Sequence, residues 1–207
     1  MDKRKKTFFL LALIFYVFFL IFLFQVLFNG FFKQIDHSLN QNINLVQVLF
    51  FNEISRLLVN INDTVPIFLF TLIILLFLYK KGYTQESYVF AFFMIVNAAS
   101  IYLLKILLAI PRPLNNLITG QDFSFPSGHT ASAFFFFGYL FYLSYMYMEG
   151  NIRKIMLVIF SLLPFIIGFS RIYIGVHWFT DVMGGAMLGL FWLAASLFTR
   201  IVIKKKP

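Results

Sequence analysis

His177 and Asp181 lie four residues apart, which on a helix puts them on one face. A carboxylate against one imidazole nitrogen fixes the tautomer and leaves the other nitrogen as a base or nucleophile. His129 follows Pro126-Ser127-Gly128. Ser127 is well placed as a helix N-cap ahead of an apolar run. A helix start offers backbone N–H groups and a positive dipole end, together a ready anion site. Gly128 removes the side chain that would keep an anion off the backbone. Lys105, Arg112 and Arg171 add cations at the ends of apolar segments. One at a time, each group has a plainer reading. The cations anchor helix ends, Ser127 is an ordinary cap beside an incidental histidine, and His177-Asp181 is a satisfied interfacial pair next to a belt tryptophan, Trp178. As a set they are what phosphoryl transfer needs. Cations and backbone donors hold the non-bridging oxygens, one histidine attacks, and the other protonates the leaving oxygen. Three histidines and isolated acidic residues do not offer the spaced ligands of a zinc site or a carboxylate cage.

What positions these residues is a run of apolar segments. The 207 residues are 61% hydrophobic and only 12% charged, against roughly 25% charged in a soluble domain. Cysteine is absent, which removes disulfides and thiolate chemistry. The net charge of +9 sits in short runs beside apolar stretches, so it reads as membrane orientation and not as a nucleic-acid footprint. A bilayer core of ~30 Å takes roughly 20 apolar residues of helix. Six segments approach this, at about 8–28, 64–79, 88–108, 129–148, 155–169 and 178–199. The first follows MDKRKK but is too long for a signal-peptide core and has no small-residue cleavage site, so it reads as a retained anchor. Between the first two spans, Val46, Leu49, Phe50, Ile54, Leu57 and Leu58 recur at helical spacing opposite Asn52, Glu53 and Arg56, which predicts one short helix on the membrane surface. Pro111 and Pro113 end the third span and open a loop up to Pro126. The expected fold is all-α: a polytopic six-transmembrane-helix bundle with an interfacial helix, residues 1–207 forming one domain.

With a cytoplasmic N-terminus, six crossings place Lys3, Arg4, Lys5, Lys6, Lys80, Lys81, Arg153, Lys154, Arg200, Lys204, Lys205 and Lys206 inside, 12 of the 17 Lys and Arg. The bias obeys the positive-inside rule and predicts both termini in the cytoplasm of a plasma membrane. Lys33, Arg56, Lys105, Arg112 and Arg171 fall outside. The same topology gathers Lys105, Arg112, Ser127, Gly128, His129, Arg171, His177 and Asp181 in one layer at the outer face.

Lys105-x6-Arg112-Pro113, then Pro126-Ser127-Gly128-His129, then Ser170-Arg171-x5-His177-x3-Asp181 resembles the three-part signature of the type 2 phosphatidic acid phosphatase superfamily. All three parts occur in order within residues 105–181, which makes the resemblance far more specific than a lone motif. It implies His177 as nucleophile, Asp181 as its orienting partner, His129 as general acid, and Lys105, Arg112, Ser127, Gly128 and Arg171 as phosphate ligands. It also implies a lipid phosphatase that works without a metal or other cofactor. The expected substrate is a lipid phosphate or diphosphate, with a polyprenyl diphosphate such as undecaprenyl diphosphate slightly favoured over phosphatidylglycerophosphate or phosphatidic acid. Two other classes compete: a lipid phosphotransferase using the same phosphohistidine, and a non-enzymatic lipid-phosphate carrier. A carrier needs the cations but no nucleophile with an orienting carboxylate.

Overall fold

The computed structural model describes residues 3–113 and 123–203. They form eight helices and no strand: α1 Lys3–Leu27, α2 Phe32–Val46, α3 Leu49–Ile61, α4 Thr64–Lys80, α5 Thr84–Leu108, α6 Gly128–Tyr147, α7 Gly150–Tyr173 and α8 Phe179–Ile203. Each of the six apolar segments is a helix. Several helices outrun their apolar segments, because a helix continues past the membrane core into polar residues that still close its hydrogen bonds. The fifth segment gains most, extending back to Gly150 and on to Tyr173.

By length and composition α1, α5, α7 and α8 are long and apolar enough to cross a membrane. Helix α4 is equally apolar but has 17 residues. Helix α6 has 20 residues diluted by Gly138, Ser144 and the tyrosines 139, 142, 145 and 147. The solvent these helices suit is apolar: Phe9, Leu13 and Phe18 on α1 and Phe68, Ile73 and Phe77 on α4 all face outward. So much contiguous exposed apolar surface is what lipid covers.

Between the first two spans two helices form where one was expected. Helix α2 includes the polar run Asn40-Gln41-Asn42 and places Phe32, Ile35, Leu39 and Ile43 at helical spacing. Helix α3 carries the anticipated apolar face.

Helix α8 is the hub and packs on α1, α2, α5, α6 and α7. Small residues let α6 approach it: a Cβ on Gly185 would lie 2.6 Å from the Ser127 carbonyl oxygen, and one on Gly189 2.4 Å from that of Ala131. Phe90, Phe135 and Tyr139 fill one end of the bundle. Phe19, Ile101, Phe125, Ala131 and Leu188 fill the other. At the first end Glu86 is buried but fully engaged. Arg200 Nε donates to its Oε1 at 2.8 Å, as does the Tyr147 hydroxyl at 2.7 Å, while the Tyr139 hydroxyl reaches Oε2 at 3.1 Å. A buried carboxylate persists only with such pairing, and here it ties α5, α6 and α8 together.

Candidate active site

Helix α5 stops at Leu108 because Ala109 turns into the left-handed region at φ 49° and its N–H bonds back to the Lys105 carbonyl at 2.9 Å. Pro111 and Pro113 then forbid more helix. This leaves Lys105 in the last turn and Arg112 on the chain beyond it. The Lys105 ammonium donates to the Phe123 carbonyl. Arg171 is buried in the last turn of α7. The chain from Ile174 to Trp178 carries His177 into the same layer, and α8 starts at Phe179 with Asp181 in its first turn.

His177 and Asp181 are buried and paired, with Nδ1 3.2 Å from Oδ2. The same oxygen accepts the Trp178 backbone N–H at 2.8 Å and the Ser124 hydroxyl. On the opposite edge of the ring, Arg112 Nη1 lies 3.3 Å from Nε2 while also donating to the Val176 carbonyl at 2.8 Å. Guanidinium has donors only. Nε2 therefore meets Arg112 with its lone pair, and Nδ1 carries the proton that faces Asp181. Carboxylate and guanidinium select the same tautomer from opposite sides. Burial holds the His177 imidazole well below the ordinary histidine range, and the charges of Arg112, Arg171 and Lys105 push it further.

Ser127 occupies the N-cap position of α6, but its side chain makes no capping hydrogen bond. Its hydroxyl oxygen accepts from Thr130 at 2.9 Å instead, and its N–H donates to the Asp181 carbonyl at 3.0 Å. The expected side-chain cap is thus corrected to a backbone clasp between the starts of α6 and α8. Gly128 and His129 open the first turn of α6, and Asn62 donates to the His129 carbonyl at 2.9 Å.

The structure therefore gathers Lys105, Arg112, Ser127, Gly128, His129, Arg171, His177 and Asp181 in one layer. Sequence reasoning did not find Ser124, which is fully buried behind Asp181. Nor did it find Asp36, whose carboxylate holds the first turn of α8 through Thr180 at 2.9 and 2.7 Å. The one available signal for Asp36 is an acid among the apolar positions of α2, between Phe32 and Ile43. Among the described residues no three His, Cys, Asp or Glu side chains cluster as metal ligands.

The sequence matches the PAP2 superfamily over residues 86–205, which takes in the eight gathered residues from Lys105 to Asp181 and Ser124. The chain belongs to the PAP2 superfamily. Over 76 residues it is 36% identical to phosphatidylglycerophosphatase B of Bacillus subtilis (strain 168), a stretch covering 36% of this chain and only 37% of that relative's length. The fold is similar to the crystal structure of a transmembrane PAP2 type phosphatidylglycerolphosphate phosphatase from Bacillus subtilis, with a TM-score of 0.82 at 22% identity, covering 95% of this chain and 99% of the other. It is also similar to LpxE of Aquifex aeolicus, with a TM-score of 0.63 at 28% identity over 79% of this chain and 94% of that one. This PAP2 chain is thus a multi-pass membrane protein. The chain before residue 86 lies outside the match, yet Asp36 of α2 bonds Thr180 and Asn62, just after α3, bonds the His129 backbone.

Proposed function

We propose that this PAP2 protein is a metal-independent lipid phosphatase working through a phosphohistidine. The carrying observation is His177, with Nδ1 turned to Asp181 and the Nε2 lone pair facing the Arg112 guanidinium. In the proposed reaction, lipid phosphate enters the cationic layer and draws Arg112 onto its oxygens, which uncovers Nε2. Nε2 attacks phosphorus, and the bond to the lipid oxygen breaks as His129 gives that oxygen a proton. Lys105, Arg112, Arg171, the Ser127 hydroxyl and the N–H groups of Gly128 and His129 hold the non-bridging oxygens. Water then attacks the phosphohistidine with His129 taking its proton, which releases phosphate and restores both histidines. Fixed cations supply the charge stabilisation that a metal supplies elsewhere.

An apolar groove of about 350 Å³ supports the lipid reading. It lies between α3, α4, α6 and α7 and is lined by Leu58, Ile67, Phe136, Leu163 and Ile167. Asn62 also lines it and bonds the His129 backbone. A hydrocarbon chain in the groove would present its head group to His129.

Two substrate classes fit this site: polyprenyl diphosphates, and glycerophosphate lipids of the kind named for the Bacillus phosphatidylglycerophosphatase. The relatives favour the second as much as the sequence favours the first. Phosphate release in detergent from undecaprenyl diphosphate, phosphatidylglycerophosphate and phosphatidic acid separates them. Release from none of the three would sink the phosphatase reading. We further propose six crossings, with α4 and α6 joining the four longer apolar helices, cytoplasmic termini and an outward site in a plasma membrane. The positive-charge bias supports this. An impermeant thiol reagent added to intact cells should label Glu53→Cys, and protection of that position would reverse the orientation.

A further inference from the structure

The junction of α3 and α4 holds the His129 backbone and sets a carboxylate near its ring. Asn62 donates to its backbone carbonyl at 2.9 Å. Asp63, the next residue, caps α4 by accepting the Thr64 N–H on Oδ1 at 2.7 Å. The same Oδ1 stands 3.8 Å from His129 Nε2. Because the cap fixes that oxygen, its place beside the imidazole is built in.

The charges around His129 give this position a purpose. Burial opposes a positive charge on the ring, and Arg171 from α7, Arg112 from the chain after α5 and Lys105 from α5 all face it and oppose that charge further. His177 faces it as well. Asp63 is the carboxylate that acts in the other direction. An acid catalyst must hold a proton before it can give one, and the cations that suit the phosphate work against this.

We infer that Asp63 is a positioning residue for His129, its carboxylate holding a proton on the imidazole until the leaving oxygen takes it. The inference rests on the phosphatase reading above and assigns a second histidine–carboxylate pair beside His177–Asp181. The two pairs do opposite work. Asp181 orients a neutral ring for attack, and Asp63 favours a charged ring for proton donation.

Asp63→Asn is the discriminating variant, because asparagine caps a helix as well as aspartate but carries no charge. In purified full-length protein, phosphate release from phosphatidic acid, which leaves an alkoxide, should fall about tenfold or more. Release from p-nitrophenyl phosphate should fall much less, since that leaving group needs little protonation. The alkaline limb of the phosphatidic acid pH–rate profile should move to lower pH, and Asp63→Glu should move it less. An equal loss on both substrates with an unmoved alkaline limb would mean a purely structural role and would overturn the inference, as would no loss at all. Wild-type protein that releases phosphate from neither substrate and forms no phosphoenzyme would instead overturn the phosphatase reading, and this inference with it.

Discussion

Asp36 on α2 caps the first turn of α8 from 144 residues away, accepting the Thr180 N–H at 2.9 Å and the Thr180 hydroxyl at 2.7 Å. Thr180 adjoins Asp181, so this bond sets where the orienting carboxylate stands. Asp36→Ala should lower stability by about 1–2 kcal/mol, the range for losing a helix cap. It should reduce kcat more than it raises KM, because the phosphate cations are untouched. Thermal unfolding in detergent and steady-state phosphate release check both effects. Unchanged values in both would show that α2 rests on α8 without consequence.

Gly185 brings α8 against the start of α6. A methyl there would meet the Ser127 carbonyl oxygen, which is backbone and cannot turn aside. Gly185→Ala should therefore displace the first turn of α6 and cost about 1–3 kcal/mol, as overpacking does. Activity per folded molecule should fall too, because Ser127, Gly128 and His129 move together. The melting temperature and the activity of the folded fraction report the two effects separately. Normal activity in a destabilised protein would show that the clasp serves packing alone.

The buried state of His177 has a pH consequence of definite sign. Its imidazole is held well below the ordinary range, first by burial and then by Arg112, Arg171 and Lys105. The Nε2 lone pair therefore stays available as pH falls through about 6.5, where a free histidine would charge. In the unfolded chain the same ring takes up a proton there, so acidification below that pH drains stability from the fold. Single-turnover phosphoenzyme formation from an aryl phosphate should show no inflection near pH 6.5, while the melting temperature should decline below it. A clear inflection near 6.5 that tracks His177 would contradict its buried, neutral state.

Much of this site is legible in the sequence because its chemistry is local. His177 lies just before α8 and Asp181 in its first turn, four residues on, and Lys105 and Arg112 flank one helix end, so spacing alone relates them. Ser124, Asp36 and Asn62 are not legible, because their partners lie 57, 144 and 67 residues away and only the folded bundle joins them. Ser127 shows a subtler limit. Residue type placed it at the cap position, but its hydroxyl pairs with Thr130, a choice between neighbours that the sequence does not rank. Helix α2 escaped notice because the asparagines and Gln41 near its end masked an apolar stripe beginning at Phe32.

The fixed positive charge of Lys105, Arg112 and Arg171 should make added metal dispensable. Phosphate release should persist in excess EDTA. Activity lost to chelator and restored by Mg²⁺ would require a different source of transition-state stabilisation. Arg171→Lys should cost most of the activity while the protein still inserts, because lysine lacks the planar fork that matches phosphate oxygens. A fully active Arg171→Lys protein would reduce Arg171 to a helix-end anchor.

Trapping the phosphoenzyme tests the assignment of His177 most directly. Wild-type protein and the His177→Ala and His129→Ala variants would be mixed with ³²P-labelled substrate and quenched during turnover. The label would then be scored for the acid lability and base stability of phosphohistidine. The expected result is label on the wild type, none on His177→Ala, and label retained on His129→Ala with an activated aryl phosphate, whose leaving group needs little protonation. Label on His177→Ala together with none on His129→Ala would exchange the roles of the two histidines and contradict the mechanism.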